Sequence, residues 1–147
     1  MKIALACDHG GYELKRKLLQ WLLEKGYVVR DFGCYSAESV DYPDFAFPAA
    51  EAVASGEYDR AILVCTTGVG MCLCANKVAG VRCALCTSEF MAEMTRRHND
   101  TNALAIGSMT VSAQTALDIA AVWLETEFEG GRHARRINKI EQYEQRH

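Results

Sequence analysis

Residues 61–70 read AILVCTTGVG, an apolar run that ends in a cysteine and a glycine-containing loop. A short apolar run that stops at such a loop is typical of a buried β-strand followed by a turn into a helix. Residues 2–7 (KIALAC) repeat this pattern, and the loop DHGG at 8–11 follows them. Near-continuous apolar strands that alternate with helices indicate a parallel sheet covered on both faces.

The rest of the chain continues this alternation and predicts an α/β fold in one domain over 1–147. The expected fold is a doubly wound, five-stranded parallel sheet with helices on both faces and a C-terminal helix. The flavodoxin-type strand order 2-1-3-4-5 is our first choice, and the Rossmann order is the second. The predicted strands are 2–7, 27–32, 61–65, 81–86 and 103–107, and the predicted helices are 12–25, 43–54, 71–79, one that Thr87 or Ser88 caps, 111–127 and 132–145.

Composition excludes several classes of protein. The net charge of −3 disfavours a general nucleic-acid binder, although the tail at 130–147 carries a net charge of +3. No apolar run reaches the roughly 20 residues that a membrane span needs. The first apolar stretch is too short for a signal peptide. Seven cysteines, an odd number spread along the chain, favour reduced thiols in the cytoplasm over a secreted disulfide scaffold.

The loops after strands 1 and 3 carry the most reactive side chains. In open parallel sheets, ligands bind beyond the carboxyl ends of the strands, at the switch in strand order, and here that switch lies between these two strands. Cys65 ends strand 3 directly before a helix N-terminus, which favours the thiolate and suits a nucleophile or a base. The alternative is that both loops are ordinary tight turns. We interpret the other six cysteines as structural: Cys7, Cys34, Cys72, Cys74, Cys83 and Cys86.

Several motifs that would assign another chemistry are absent. The sequence lacks GxxxxGK[ST], which excludes a P-loop NTPase, and it lacks GxGxxG after strand 1, which disfavours dinucleotide binding. A phosphocysteine phosphatase would place an arginine where Met71 stands. No clustered set of His, Asp and Glu ligands is evident, so we expect neither a metal nor a cofactor.

Two further polar segments lie late in the chain. His98 begins the predicted loop HNDTN, and Arg132 and Arg136 lie four residues apart on the predicted C-terminal helix. Such a pair of arginines can fork around a phosphate, or it can be a solvated basic face. His98 precedes strand 5 and should therefore lie at the opposite end of the sheet from Cys65. A dimer could bring the two together, whereas one subunit should not.

Together these groups suit an aldose–ketose isomerase. Such an enzyme needs a base at the reacting carbons, donors for an enediolate oxygen, an acid/base that opens the sugar ring, and cations for a phosphate. Cys65, the amides of residues 66–70, His98 and the Arg132/Arg136 pair supply one of each. The hypothesis requires no metal.

The motifs CDHGG, DYPDFA, CTTGVG, ANK, HNDTNALAIGS and EGGRHARR closely resemble the type B ribose-5-phosphate isomerase family. That family also includes the galactose-6-phosphate isomerase subunits, which lack a cysteine corresponding to Cys65. The resemblance spans essentially the whole chain. It implies interconversion of ribose 5-phosphate and ribulose 5-phosphate, or of a closely related sugar or sugar phosphate, in a homodimer or dimer of dimers with shared active sites.

The resemblance also implies roles for individual residues. Cys65 would be the base, His98 the ring-opening acid, and Thr67 a proton shuttle between O1 and O2. The other implied substrate-binding residues are Asp8 and His9 at the sugar and phosphate end, Tyr42 and Asn99 along the site, Thr66, Gly68, Val69 and Gly70 around the enediolate, and Arg132 and Arg136 at the phosphate.

The sequence departs from this family at two positions. Thr66 stands where glycine is frequent, and Met109 stands where ribose-5-phosphate members usually carry another phosphate-binding arginine. Arg135 is a candidate replacement on a different part of the helix. Two alternatives to catalysis also remain: a phosphosugar sensor on the same fold, which would not need a base, and a phosphocysteine carrier, which would leave the HNDTN and GGRHARR motifs unused.

Overall fold

Five parallel strands and six α-helices alternate along the chain, as the sequence pattern predicts. A computed structural model describes all residues from 1 to 147. No helix in it has the length and apolar character needed to cross a membrane. The elements are β1 Lys2–Cys7, α1 Tyr12–Glu24, β2 Val28–Asp31, α2 Pro43–Ala54, β3 Arg60–Cys65, α3 Val69–Ala75, β4 Cys83–Leu85, α4 Glu89–Asn99, β5 Ala103–Gly107, α5 Ala113–Glu125 and α6 Arg132–Arg146.

The strand order is β2-β1-β3-β5-β4, which corrects the expected order in its last two positions. Every residue of β5 is buried, whereas the three residues of β4 are only partly buried. A strand with neighbours on both sides and helices on both faces is fully buried, which agrees with the position of β5 beside β3 and of the shorter β4 at the edge. The β1–β3 switch point is unaffected. The loop after β5, rather than the loop after β4, therefore lies next to Cys65.

The sheet has two unlike faces. One face packs large side chains such as Ile3, Leu5 and Ile106 against α1, α4 and α5, with the fully buried Trp123 among them. The other packs mostly small side chains against α2 and α3. The alanines of this face are Ala4, Ala6, Ala46, Ala49, Ala50, Ala61, Ala75 and Ala103. Because neighbouring residues of a strand point to opposite faces, Cys65 falls on the alanine-rich face while Val64 falls on the other.

Two element boundaries differ from the sequence expectation in ways that affect the site. Helix α3 begins at Val69, two residues earlier than expected, so the loop after Cys65 is only three residues long. Helix α4 starts after Ser88, whose hydroxyl accepts a hydrogen bond from the Met91 amide at 3.2 Å, and it continues to Asn99. His98 therefore lies in the last helical turn and not in a loop.

Candidate active site

The loops after β1 and β3 meet at the carboxyl edge of the sheet, where the sequence places them. A side-chain carbon at Gly11 would collide with the Val64 carbonyl, and one at Gly10 would collide with the Thr66 hydroxyl. Glycine at these two positions therefore lets the two loops lie in direct contact. The contact at Gly11 is with main chain and fixes the β1 loop against the end of β3, whereas the contact at Gly10 is with a side chain.

Cys65 ends β3 with its thiol almost fully buried. The sulfur accepts a hydrogen bond from the Gly68 amide at 3.1 Å, and a bond of this kind stabilises a thiolate. Gly68 has a φ of 80°, a left-handed conformation that turns the chain back over the sulfur and into α3. The local fold thus points an amide at the one thiol that the sequence singles out.

The other side chains of this loop are also organised by it. Thr66 and Thr67 are both exposed, and the Thr67 hydroxyl accepts a hydrogen bond from the Val69 amide at 3.3 Å. Two of the amides expected to hold an enediolate, those of Gly68 and Val69, are therefore already engaged within the loop. Gly107 packs against the Thr67 carbonyl, where a side-chain carbon would come within 2.6 Å.

Asp8 and His9 follow β1 directly. The Asp8 carboxylate is buried and accepts a hydrogen bond from the Gly11 amide at 3.1 Å, which closes a short 3-10 turn over His9–Gly11. His9 is exposed, and its Nδ1 accepts a hydrogen bond from the Val40 amide at 3.2 Å. A neutral His9 then carries its proton on Nε2, which leaves that nitrogen as a donor.

A cavity of about 490 Å³ lies beside this turn and is lined by Asp8, His9 and Tyr42. The Tyr42 ring also packs against Gly70, where a side-chain carbon would come within 2.9 Å of the ring. Three of the predicted substrate-binding side chains and the start of α3 are therefore brought together. The volume is in the range of small-molecule sites.

The loop after β5 completes this edge. The Ser108 amide donates to the Cys65 carbonyl at 2.8 Å, and the Met109 amide donates to the Thr66 carbonyl at 3.0 Å. Met109 thus lies on the same rim as Cys65, as the sequence predicts, and its side chain is 79% exposed. A cavity of about 260 Å³ beside it is lined by Lys17 as well as by Met109. Lys17 is a cation near this position that sequence reasoning did not identify.

His98 and Asn99 lie at the other edge of the sheet, at the end of α4. Much of the HNDTN segment is scaffold rather than site: Arg96 donates to the Asp100 carboxylate at 2.8 Å, and Trp123 donates to the Thr101 hydroxyl at 3.0 Å. Asn99 is exposed, and its side-chain oxygen accepts from the Thr95 hydroxyl at 3.0 Å. The density of polar residues around His98 is therefore explained mainly by the turn into β5.

The His98 ring stacks on the His133 ring, with 4.2 Å between the ring centroids and 14° between their planes. His133 is buried, and its Nε2 lies 3.7 Å from a Glu129 carboxylate oxygen. Burial, His98 and Arg132 lower the pKa of His133, in that order, and Glu129 opposes them. The sequence shows no clustered set of His, Asp and Glu side chains, but the fold brings one potential ligand atom from each of His98, Glu129 and His133 together. The four-residue spacing of Glu129 and His133 was the available signal. The expectation that no metal binds stays a prediction.

Arg132 and Arg136 lie in the first turns of α6, where both side chains are exposed. Neither makes an ion pair or a side-chain hydrogen bond within the chain. Arg135 is exposed as well and is equally unpaired. Two unpaired guanidinium groups four residues apart leave an exposed basic face next to the His98–His133 stack, and such a pair of arginines can bind an anion.

One chain holds its two sets of predicted residues at opposite edges of the sheet. Cys65 pairs with Gly107 at the carboxyl end of β5, whereas His98 lies just before Ala103 at its amino end. A five-residue strand spans roughly 15 Å, so His98 cannot reach a molecule bound at Cys65 of the same chain by hydrogen bonding. The structure thus brings together Cys65, Thr67, Asp8, His9 and Tyr42, and separately His98, Asn99, Arg132 and Arg136.

The remaining cysteines are free thiols. Burial raises the pKa of Cys7 and that of Cys86 to about 12, in keeping with a structural role. Cys83 and Cys86 pack into opposite faces of the sheet, as expected from their spacing. Cys72 differs, because its interaction with the Cys83 side chain and a hydrogen bond from the Asn76 side-chain amide at 3.5 Å lower the pKa of Cys72 to about 7.

Comparison with known proteins gives one consistent result. A family described as Ribose/Galactose Isomerase matches residues 3–140. Ribose-5-phosphate isomerase B of Escherichia coli is 47% identical over 145 residues, covering 99% of this chain and 97% of that protein.

Two solved structures have the same fold over nearly their whole length. Ribose-5-phosphate isomerase B of Clostridium thermocellum superimposes with a TM-score of 0.98 at 53% identity, covering 99% of each chain. The Mycoplasma genitalium enzyme of the same name, solved with bound ribulose 5-phosphate, gives 0.95 at 43% identity, covering 98% of this chain and 96% of the other.

Proposed function

The chain belongs to the ribose/galactose isomerase family and is a sugar-phosphate isomerase, and from this premise we propose that it interconverts ribose 5-phosphate and ribulose 5-phosphate. The reaction would pass through an enediolate, with Cys65 as the base. The substrate is supported by the name of the Escherichia coli relative and by the ribulose 5-phosphate in the Mycoplasma genitalium structure. Both of those relatives are isomerases, which favours catalysis over a sensor.

The observation that carries the assignment of the base is the environment of the Cys65 sulfur. The sulfur lies at the switch point of the sheet and accepts a hydrogen bond from the Gly68 amide at 3.1 Å. The exposed Thr67 hydroxyl lies in the loop that follows Cys65. In our proposal the thiolate removes the proton from C2 of the open-chain aldose and returns it to C1. Thr67 moves the hydroxyl proton between O1 and O2, so no external acid is consumed.

The remaining groups of this edge would bind the sugar. The amides of residues 66–70 would donate to the enediolate oxygen, although those of Gly68 and Val69 must first leave their partners in the loop. Asp8 and His9 would contact the sugar and its phosphate end. Tyr42 would cover the cavity that these two side chains line.

The second set of residues would come from another subunit. His98 of the partner subunit would open the sugar ring, and Asn99 of the partner subunit would line the site. Arg132 of the partner subunit and Arg136 of the partner subunit would bind the phosphate. The separation of the two edges within one chain supports a homodimer or dimer of dimers with shared sites. A cytoplasmic location is part of the proposal and rests on the seven free thiols.

The substrate is tested by incubating the protein with ribose 5-phosphate and following ketose formation. Ribulose 5-phosphate should accumulate to the same equilibrium from either direction. Other aldose phosphates, including galactose 6-phosphate, serve as comparisons, because Met109 replaces a usual phosphate-binding arginine and favours a shifted preference. Ketose formation from another aldose phosphate but not from ribose 5-phosphate would reject the substrate and keep the reaction type.

A further inference from the structure

His98, Glu129 and His133 bring three metal-binding atoms together between α4 and α6. One ligand atom from each residue lies within 4.8 Å of the other two. The residues come from the last turn of α4, from the segment before α6 and from the first turn of α6. The cluster is held by backbone as well, because the Glu129 amide donates to the Arg97 carbonyl at 3.1 Å.

His133 supplies an independent indication of a ligand. Its side chain is only 7% exposed, yet Nε2 has no hydrogen-bond partner in the protein. It is the only buried side-chain nitrogen or oxygen in the chain in that condition. A Glu129 carboxylate oxygen lies 3.7 Å from Nε2, which is beyond hydrogen-bonding distance. A buried polar atom without a partner costs stability unless something else engages it.

We propose that His98, Glu129 and His133 form a binding site for a divalent transition-metal ion of the Zn²⁺ type, and that occupation of this site inhibits the enzyme. Two imidazoles and one carboxylate are a common zinc ligand set, and it leaves a fourth position open. Imidazole nitrogen prefers zinc, nickel and copper to magnesium or calcium, so the site would discriminate against the hard cations.

The site would close by side-chain rotation. Two ligands at zinc distances in a tetrahedron lie about 3.4 Å apart, so the donor atoms must approach by roughly an ångström. Glu129 is exposed and His98 partly exposed, so both side chains have room to turn. The stacked rings must also tilt, because parallel lone pairs do not converge on one ion.

The surrounding charges set a limit on the affinity. Arg132 and Arg136 are unpaired neighbours in α6, and an Arg97 nitrogen lies 4.0 Å from the Glu129 carboxylate. Three guanidinium groups repel a dication, and they make the site weaker than a structural zinc site. The inhibition rests on the proposed function, because a metal on His98 would remove the nitrogen that is meant to exchange a proton during ring opening.

The test measures binding and activity separately. Zn²⁺ binding is followed by competition with a chromophoric chelator in buffer free of phosphate, with Glu129→Gln compared with Glu127→Gln. Glu127 is an exposed glutamate two residues away that lies outside the cluster. We expect Glu129→Gln to weaken binding at least about tenfold and Glu127→Gln to match the wild type. His133→Asn should weaken it as well. Equal affinity in the two glutamine variants would overturn the site.

Cobalt distinguishes this site from the seven thiols. Co²⁺ held by imidazole and carboxylate lacks the strong near-ultraviolet charge-transfer band that a thiolate ligand produces, so a spectrum dominated by that band would also overturn the site. Inhibition by Zn²⁺ should follow the same order of variants as binding. Binding that depends on Glu129 but leaves isomerisation unaffected would retain the metal site, reject the inhibition and count against the role of His98.

Discussion

At the carboxyl edge of the sheet, Cys65 and Thr67 are positioned by backbone, whereas at the amino edge His98 is held by the side chain of His133. The loops at the carboxyl edge pack closely because their contact positions are the glycines Gly10, Gly11 and Gly107. At the other edge, charged and aromatic groups face outward, and Arg132 and Arg136 have no partner in the chain. Proton transfer between neighbouring carbons needs fixed geometry, while binding of a mobile phosphate needs charge, so the two edges suit different parts of one reaction.

The largest expected effect comes from removing the thiol at the rigid edge. Cys65→Ala should lower kcat by about 10²–10⁴-fold, because a positioned base contributes that much. Cys74→Ala is the control, since Cys74 is another buried cysteine on the same face of the sheet. Steady-state assays of both variants, with circular dichroism to verify folding, make the comparison. Near-normal turnover by Cys65→Ala would remove Cys65 from the mechanism.

The next experiment asks whether the two edges meet between subunits. His98→Asn should lose most of its isomerase activity on the cyclic sugar phosphate and less on a substrate supplied in the open-chain form, because only the cyclic form needs ring opening. When inactive Cys65→Ala and His98→Asn subunits are exchanged, about half the dimers should be mixed with one intact site each, which restores roughly a quarter of the wild-type activity. A monomer in sedimentation, or verified exchange without recovery, would contradict shared sites.

Two glycine variants test whether backbone contact between β1 and β3 stabilises this edge of the sheet. Gly11→Ala places a carbon against the immovable Val64 carbonyl, whereas Gly10→Ala meets the Thr66 hydroxyl, which can rotate. We expect Gly11→Ala to lower the free energy of unfolding by about 1–3 kcal/mol and Gly10→Ala to lower it less. Urea denaturation measures both. An equal loss of stability would show that the β1 and β3 loops are not held by the backbone contact.

A variant at Met109 tests whether the carboxyl edge of the sheet lacks a positive charge that would bind the substrate phosphate. Met109→Arg should lower the KM for ribose 5-phosphate by up to about 10–150-fold with little change in kcat, because a charge-assisted hydrogen bond is worth roughly 1.5–3 kcal/mol. Lys17→Gln is the companion variant, since Lys17 lines the same cavity. If Met109→Arg changes nothing while Lys17→Gln raises KM, the lysine already replaces the arginine. If neither changes KM, this rim does not contact the phosphate.

The smallest expected effect is that of chelators. An enediolate held by amide donors needs no Lewis acid, so EDTA should not lower the activity of the enzyme as purified. It should restore any activity lost to added Zn²⁺. A loss of activity in EDTA that one metal ion reverses would instead indicate a catalytic metal.

The parts of the fold set by local patterns were predictable, and the parts set by long-range packing were not. The apolar runs before Asp8 and Cys65 were enough to place both loops at one edge. The order of β4 and β5 depends on which of the two strands has a neighbouring strand on each side. Both sequence segments are short and apolar, so the sequence alone does not tell which strand is central. The stack of His98 on His133 requires α6 to pack against α4, which no local spacing specifies. Asp100 and Asn102, which follow His98 in the HNDTN motif, have structural contacts: Asp100 pairs with Arg96, and Asn102 accepts a hydrogen bond from the Arg82 amide.

The alanine-rich face of the sheet has a consequence for how this enzyme can change over generations. The side chains of Ala46 and Ala61 are fully buried, and every residue except glycine that could replace them is larger, whereas Ile3 or Leu104 on the other face can exchange for residues of similar volume. Overpacking a dense interior costs more than a volume-conserving exchange. In a library of random variants, those that stay active should therefore carry their core substitutions on the face that packs against α1 and α5. They should keep alanine on the face that includes Cys65. Selection for new sugars would then act through the exposed rim, at positions such as Met109.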